Sequence, residues 1–457
     1  MKKCVMTLCA FALTAVATMA QTAESPAVLK LSLDEAIDLA LSENPTVKVA
    51  DLEIERYDYV RKETLGNLYP SLSVSGTYTR AIVKTEISKG LSFGADNTIA
   101  ASADIALPLI VPSVWRTARL NQIEMENAVE SARASRIDLV NSVKKGYYNI
   151  LLAQQSLAVL KASEANVQQT VDDTRLQYEH GLASEYDLIT AEVQLSNLQP
   201  SIIQTTNSID VAKRLLKMYM SLPDNVDIEL EGSLDDFRDA VLSGNDGLST
   251  DISQNSALRQ LDIQADMLEQ QLKVAQTSRM PTLSAFGSVS ISGNDMERLN
   301  FGAMTGGSDG STSTPGTTES VKNSFYWQHP ISAGIQLSIP IFSGFRNTNK
   351  LKQLRNSMAQ LDLQRIYLQQ STEVEVRSSI NDLLTARETM FANEKTVQQA
   401  QKAYDISNTR YKAGAGTILE LNTSELALTQ ARLNYSQAIY DYLSAKADYD
   451  RIVGRER

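Results

Sequence analysis

The chain has 457 residues, with 43 Lys and Arg against 54 Asp and Glu, for a formal net charge of −11. That balance disfavours a nucleic-acid partner, because such binders carry a basic surplus. Hydrophobic residues at 43% with aromatics at 6% describe a folded chain, and the Ala, Gln, Ser and Leu that fill it favour long helices. The two histidines, His180 and His329, stand far apart, and neither a Walker A loop nor G-x-G-x-x-G occurs. No enzyme activity, cofactor or metal site is expected.

The chain opens with Lys2-Lys3, an apolar stretch from Val5 to Val16, and Thr18-Met19-Ala20. A basic start, a short apolar run and a small residue describe a secretory signal peptide over 1–20, cut after Ala20. Cys4 and Cys9 are the only cysteines, so the exported chain carries no disulfide.

Beyond the leader the chain repeats itself once. Asn44, Asp51, Lys62, Pro70, Leu72, Ser73 and Gly76 meet Asn255, Asp262, Lys273, Pro281, Leu283, Ser284 and Gly287 at a constant offset of 211. Tyr178-Glu179-His180-Gly181 later meets Tyr411-Lys412-Ala413-Gly414 at an offset of 233. One repeat is assigned to 31–230 and the other to 251–457, with 231–250 as a linker. A helical segment over 34–68 opens the first copy, and one over 250–279 opens the second.

Two alternating segments follow in each copy, about 71–80 and 97–107, then about 282–292 and 331–340. Leu72, Val74, Gly76 and Tyr78 interleave with Ser71, Ser73, Ser75, Thr77 and Thr79. Period-2 alternation of this length, apolar on one face and small or polar on the other, fits a membrane β-strand or a half-buried soluble one. Leu72, Val74, Ile105, Leu107, Leu337 and Ile339 fall on the apolar face. Residues 81–96 read as a moderate connection, and the Gly-, Ser- and Thr-rich 306–318 as a solvated loop. Trp115, Phe325-Tyr326-Trp327, Phe342 and Phe345 flank the strands, where they suit either an interfacial girdle or buried anchors.

Each copy then carries a long helix, about 113–180 and about 345–412, free of proline. At 1.5 Å per residue each extends roughly 100 Å. Return helices are assigned to about 185–219 and 418–452. Apolar positions recurring every three to four residues, as over 374–404, describe a narrow coiled-coil seam. Membrane strands leave no edge open in lipid, and four cannot close a barrel. Three chains would close one of 12 strands with an open lumen, whereas two would give a filled barrel of eight.

Several motifs resemble the TolC-type outer-membrane efflux family. They are Leu31–Pro45, Tyr69-Pro70-Ser71-Leu72-Ser73, Met280-Pro281-Thr282-Leu283-Ser284, Ile339–Gly344 and Arg410–Gly414 with Glu420-Leu421. The resemblance implies a mainly α, mixed fold. In it a homotrimer builds a 12-stranded outer-membrane β-barrel in lipid, continued by a long periplasmic α-helical coiled-coil barrel. Residues 220–250 and the stretch after 440 would form an equatorial belt. An exit duct of a tripartite efflux or type I secretion system is implied, fed by an inner-membrane RND or ABC-type pump and a periplasmic adaptor.

By the same resemblance Asp187 and Glu420 match acidic pore-constriction positions, and Tyr411 a gating tyrosine. Gly416 stands where a basic residue would be expected, and Thr423 where a second acid would be. The turns His180-Gly181-Leu182 and Ala413-Gly414-Ala415 would meet the adaptor. A plainer reading stands beside this one. Ser184-x-x-Asp187 and Thr417-x-x-Glu420 have the form of capping boxes, so the acids serve to start the return helices. Gly181 and Gly414 read as left-handed residues ending the long helices. A poreless periplasmic coiled-coil protein, structural or adhesive, is the competing function.

Overall fold

The computed structural model describes residues 28–83, 85–88, 91–93, 95–242, 248–295 and 325–456. The expected signal peptide and the 306–318 stretch lie outside the described residues. The element order is β1 (Val28–Leu31), α1 (Leu33–Glu43), α2 (Pro45–Gly66), β2 (Ser71–Arg80), β3 (Thr85–Ser88), β4 (Leu91–Phe93), β5 (Asn97–Ile110), α3 (Pro112–Glu179), α4 (Glu185–Met220), β6 (Asp227–Leu230), α5 (Leu234–Leu242), α6 (Ser256–Thr277), β7 (Thr282–Asn294), β8 (Tyr326–Gln328), β9 (Ile331–Ser338), α7 (Arg346–Lys412) and α8 (Ile418–Val453). Among the described residues, no helix is long and apolar enough to cross a membrane.

The chain divides into two units. One holds residues to Asp51, Glu130–Arg259 and Tyr367 onward, and the other holds Leu52–Val129 and Gln260–Ile366. The first is helical. Ser32 and Glu35 close a reciprocal capping box that starts α1, and Ala36, Ile37 and Ala40 line its buried face. The helical segment expected over 34–68 breaks at Asn44, where Pro45 lacks the N–H to continue α1 and instead opens α2. The buried core joins Val143, Tyr147 and Ile150 of α3 to Leu216 of α4, Leu383 of α7 and Tyr442 of α8. On α7, Val376, Leu383 and Met390 are fully buried seven residues apart, the spacing of a coiled-coil seam.

A short parallel pair, β1 with β6, joins residues almost 200 apart, from Val28↔Asp227 to Leu31↔Leu230. The buried Tyr147 hydroxyl lies 2.6 Å from the Glu231 carbonyl and 3.1 Å from that of Leu31. It thereby satisfies backbone oxygens at the end of the pair. Burial pushes this phenol up to about 12. The segment assigned as linker carries α5, and Phe237 on it packs edge-on to Tyr148 at 5.3 Å.

The second unit carries an antiparallel sheet in the order β2-β5-β7, with β8 and β9 both on the far side of β7. Those two segments are one edge interrupted at His329-Pro330, and Ser290 N–H donates to the Pro330 carbonyl at 3.0 Å. The register puts every second residue on one face. Leu72 pairs with Ile105, Ala103 with Val289 and Val289 with Ile331, so one face is apolar from edge to edge. The other face carries Ser73, Asp104, Ser288 and Ser332 in one row. The apolar face is uncovered: Val74 and Ile331 are each 77% exposed. Gly334 makes room on the polar face, since a Cβ there would lie 2.8 Å from the Phe286 ring.

Three details differ from the sequence reading. Residues 81–96, expected as a connection, contain the β3–β4 pair. β5 runs on to Ile110, and β9 stops at Ser338, short of Pro340. The spacing G-x-S-x-G of serine hydrolases occurs at 90–94 and 306–310. Ser92 lies within β4 rather than at a strand-to-helix turn, and the second string lies outside the described residues.

Candidate functional site

The two turns that reverse the long helices are built alike at their first half. Gly181 and Gly414 take φ of 72° and 70°, the left-handed region that a side chain disfavours. Leu182 N–H donates to the Gln177 carbonyl at 2.8 Å and Gly181 N–H to Tyr178 at 2.9 Å. Ala415 and Gly414 repeat both bonds, to Arg410 and Tyr411, each at 2.9 Å. These are the two hydrogen bonds of a Schellman motif, which satisfies helix-end carbonyls. His180, Leu182, Ala413 and Ala415 are exposed around them.

The second halves differ. Ser184 and Asp187 form a reciprocal capping box, with Ser184 N–H and Oγ on Asp187 Oδ2 at 3.1 and 2.7 Å, and Asp187 N–H on Ser184 Oγ at 3.2 Å. Thr417 Oγ1 accepts from Glu420 N–H at 3.2 Å. The Glu420 carboxylate, however, lies 3.6 Å from Arg410 Nη1, and Arg410 Nη2 donates to the Ala415 carbonyl at 3.2 Å. Asp187 is thus a cap, and Glu420 is half of an ion pair spanning its turn.

Position 416 has little room for a side chain. A Cβ on Gly416 would sit 3.2 Å from Arg410 Cβ and 3.2 Å from Tyr411 N, pressing on the end of α7. Arg410, near the end of the preceding helix, is the cation that Glu420 meets. Both side chains are about half exposed, so the pair is worth roughly 0–1 kcal/mol and weakens with salt.

Tyr411 is buried with Val171, Ala191, Ile418 and Leu421, which brings together one residue from each of α3, α4 and α7 and two from α8. Its hydroxyl shares a 2.7 Å hydrogen bond with Thr174, which is fully buried on α3. Burial pushes the Tyr411 phenol up and the Asp187 and Asp173 carboxylates push the same way, while the Thr174 bond opposes them. The phenol is therefore neutral across physiological pH.

The sequence reading passed over Thr174, Arg410 and Glu425 as site residues. Glu425 is only 3% exposed, on the α8 face that packs against α3. Ser163 and Thr429 hydroxyls both donate to its Oε1, the latter at 3.0 Å, and Oε2 has no partner. Burial raises its pKa, while the two hydroxyls and Arg432 pull it back down. The signal for it is heptad spacing: Ile418, Glu425, Arg432 and Ile439 succeed one another at seven-residue intervals.

Residues 36–220 and 248–455 match the model of the family described as outer membrane efflux protein. The chain belongs to this family. It is 22% identical over 383 residues to the outer membrane protein TolC of Escherichia coli, covering 83% of this chain and 73% of TolC. It is 23% identical over 425 residues to the alkaline protease secretion protein AprF of Pseudomonas aeruginosa, covering 91% and 83%. The Campylobacter jejuni CmeC outer membrane channel shares the fold with a TM-score of 0.69 at 16% identity, over 93% of this chain and 86% of CmeC.

As an outer membrane efflux protein the chain is a channel and not an enzyme, located in the outer membrane and reaching into the periplasm. It serves as an exit duct for efflux or secretion. The exposed apolar sheet face is then the part suited to lipid.

Proposed function

We propose that three copies of the chain close a 12-stranded barrel and continue it as a tube of helices, whose turns form a resting gate. A pump of the RND or ABC type in the inner membrane, coupled through a periplasmic adaptor, supplies the energy and loads the cargo. The duct itself is passive. The observation that carries the trimer is the sheet: among the described residues β2 and the β8–β9 edge each pair on one side only, while one face is apolar from Leu72 to Tyr78 and across to β9. In lipid such edges must pair with another chain, and twelve strands leave a lumen where eight do not. Helical faces support it too. Val193, Ile203 and Val211 on α4, and Val374 and Ile406 on α7, are exposed, as residues awaiting a neighbouring copy would be.

Within that reading Asp187 and Glu420 line the constriction in addition to their structural contacts, and the turn residues His180–Leu182 and Ala413–Ala415 face the adaptor. The reading is tested by fractionating cells and weighing the detergent-solubilised protein by light scattering. A trimer in the outer-membrane fraction that conducts in planar bilayers is expected. A monomer or dimer released with the periplasmic contents would overturn it in favour of a poreless coiled coil.

A further inference from the structure

Asp104 is the only acidic residue in β2, β5, β7, β8 and β9, and Arg80 at the end of β2 is the only basic one. Asp104 lies near the middle of β5, on the polar face, directly opposite Ser73 of β2 and Ser288 of β7. Ser288 Oγ donates to Oδ1 at 2.5 Å and Ser102 Oγ to Oδ2 at 2.8 Å, while Ser75 and Ser102 hydroxyls lie 2.9 Å apart. The carboxylate is therefore held directly from β5 and β7, and β2 reaches it only through Ser102. An ionised carboxylate has about four acceptor positions, and these bonds fill two. The others remain open on a face where Ser73, Ser75, Ser102, Ser288 and Ser332 surround it.

We propose that Asp104 is a charge filter of the membrane segment, which favours the passage of cationic solutes and retards anions. The proposal rests on the trimeric barrel reading, in which three copies of Asp104 ring the lumen. Magnitudes decide whether three charges suffice. Twelve strands about 4.8 Å apart, tilted about 40°, close at a backbone radius of about 12 Å. Inward side chains reduce the free radius to roughly 8 Å, which matches the Debye length of about 8 Å at physiological salt. No ion crosses that plane beyond the reach of the ring. A structural tie between strands would need the two serine bonds alone, and an amide can also make two, accepting from one serine and donating to the other. A filter needs the charge.

The absence of cysteine beyond Cys9 permits a local test in the full-length protein in liposomes. Ser73→Cys places a thiol opposite Asp104, and its reaction rates with a cationic and an anionic membrane-impermeant thiol reagent are compared at low salt. The cationic reagent should react faster by about threefold or more. Asp104→Asn should bring the ratio to about one, Asp104→Glu should preserve it, and high salt should abolish it. An unchanged ratio in Asp104→Asn, with Ser73→Cys still reactive, overturns the filter and leaves the barrel standing. Leu72→Cys, on the apolar face, should stay unreactive. Labelling of Leu72→Cys as fast as Ser73→Cys overturns the barrel reading, and the filter with it.

Discussion

Tyr178 and Tyr411 occupy the same position in the two repeats, 233 residues apart, and only Tyr411 is buried. Thr174, which holds the Tyr411 hydroxyl, belongs to the first repeat, so the bond ties one repeat to the other.

Thr174→Val leaves the buried Tyr411 hydroxyl without its partner and should cost about 1–3 kcal/mol; Tyr411→Phe should cost less, because Thr174 keeps its 2.7 Å bond to the Thr170 carbonyl. Removing both should cost less than the sum of the two. The loss should be local, read as faster amide hydrogen exchange around 171–191 and 404–421 with little change in global unfolding. Equal exchange in all three variants would show that the bond does not hold the turns.

The Arg410–Glu420 pair is exposed, so its removal should matter to gating more than to stability. Arg410→Gln should lower stability by less than about 1 kcal/mol and raise resting conductance in planar bilayers. The excess should shrink as salt is raised, because screening already weakens the wild-type pair.

Asp187 and Glu420 separate capping from pore lining. Ser184→Ala should cost about 1 kcal/mol. Asp187→Asn with Glu420→Gln keeps an acceptor oxygen at each site and removes the charge. Acids that line the passage would make this double variant less cation-selective and less readily blocked by multivalent cations from the periplasmic side. Unchanged reversal potentials would leave them as helix caps and ion-pair partners only.

Glu425 keeps its proton to higher pH in the folded protein than in the unfolded chain, because burial raises its pKa. Its contribution to stability is full below the ordinary glutamate value of about 4.3 and is lost as pH rises through the raised folded value. Glu425→Gln, which cannot ionise, should match wild type in acid and gain in relative Tm as pH climbs past that range. Parallel Tm curves for the two proteins would place the ionisation elsewhere.

The faces of the sheet should differ in tolerance. Arg at Val74 or Ile105 should cost roughly 2–4 kcal/mol in a lipid-facing strand, whereas Thr at Ser73 should be nearly neutral. Urea unfolding in detergent or liposomes measures both. Equal tolerance would fit a soluble sheet.

The alternation around Leu72 and Val74 marks a strand because its period is 2 over ten residues, and Gly181 and Gly414 mark helix ends because few other residues adopt their φ. The β1–β6 pair left no such trace: four residues cannot establish a period, and their partners are almost 200 positions away. Glu425 was hidden by its residue type, since a carboxylate on a helix is ordinarily solvated, and only the heptad from Ile418 to Ile439 reveals it. The role of Arg410 depends on Gly416 bringing the turn back against the end of α7, a contact no local spacing encodes.

On the proposed trimer, the edges of the sheet left open among the described residues also imply an order of events during biogenesis. The helical unit has a buried core and satisfied helix ends of its own, so it can settle as soon as the chain is exported. β2 and β9 cannot settle until neighbouring copies arrive, and a free strand edge accepts any extended chain as a partner. A lone exported molecule is therefore a client for holding chaperones and a seed for aggregation. If the duct is the proposed trimer, insertion and assembly become a single step, and the abundance of finished ducts should rise more steeply than the supply of chains.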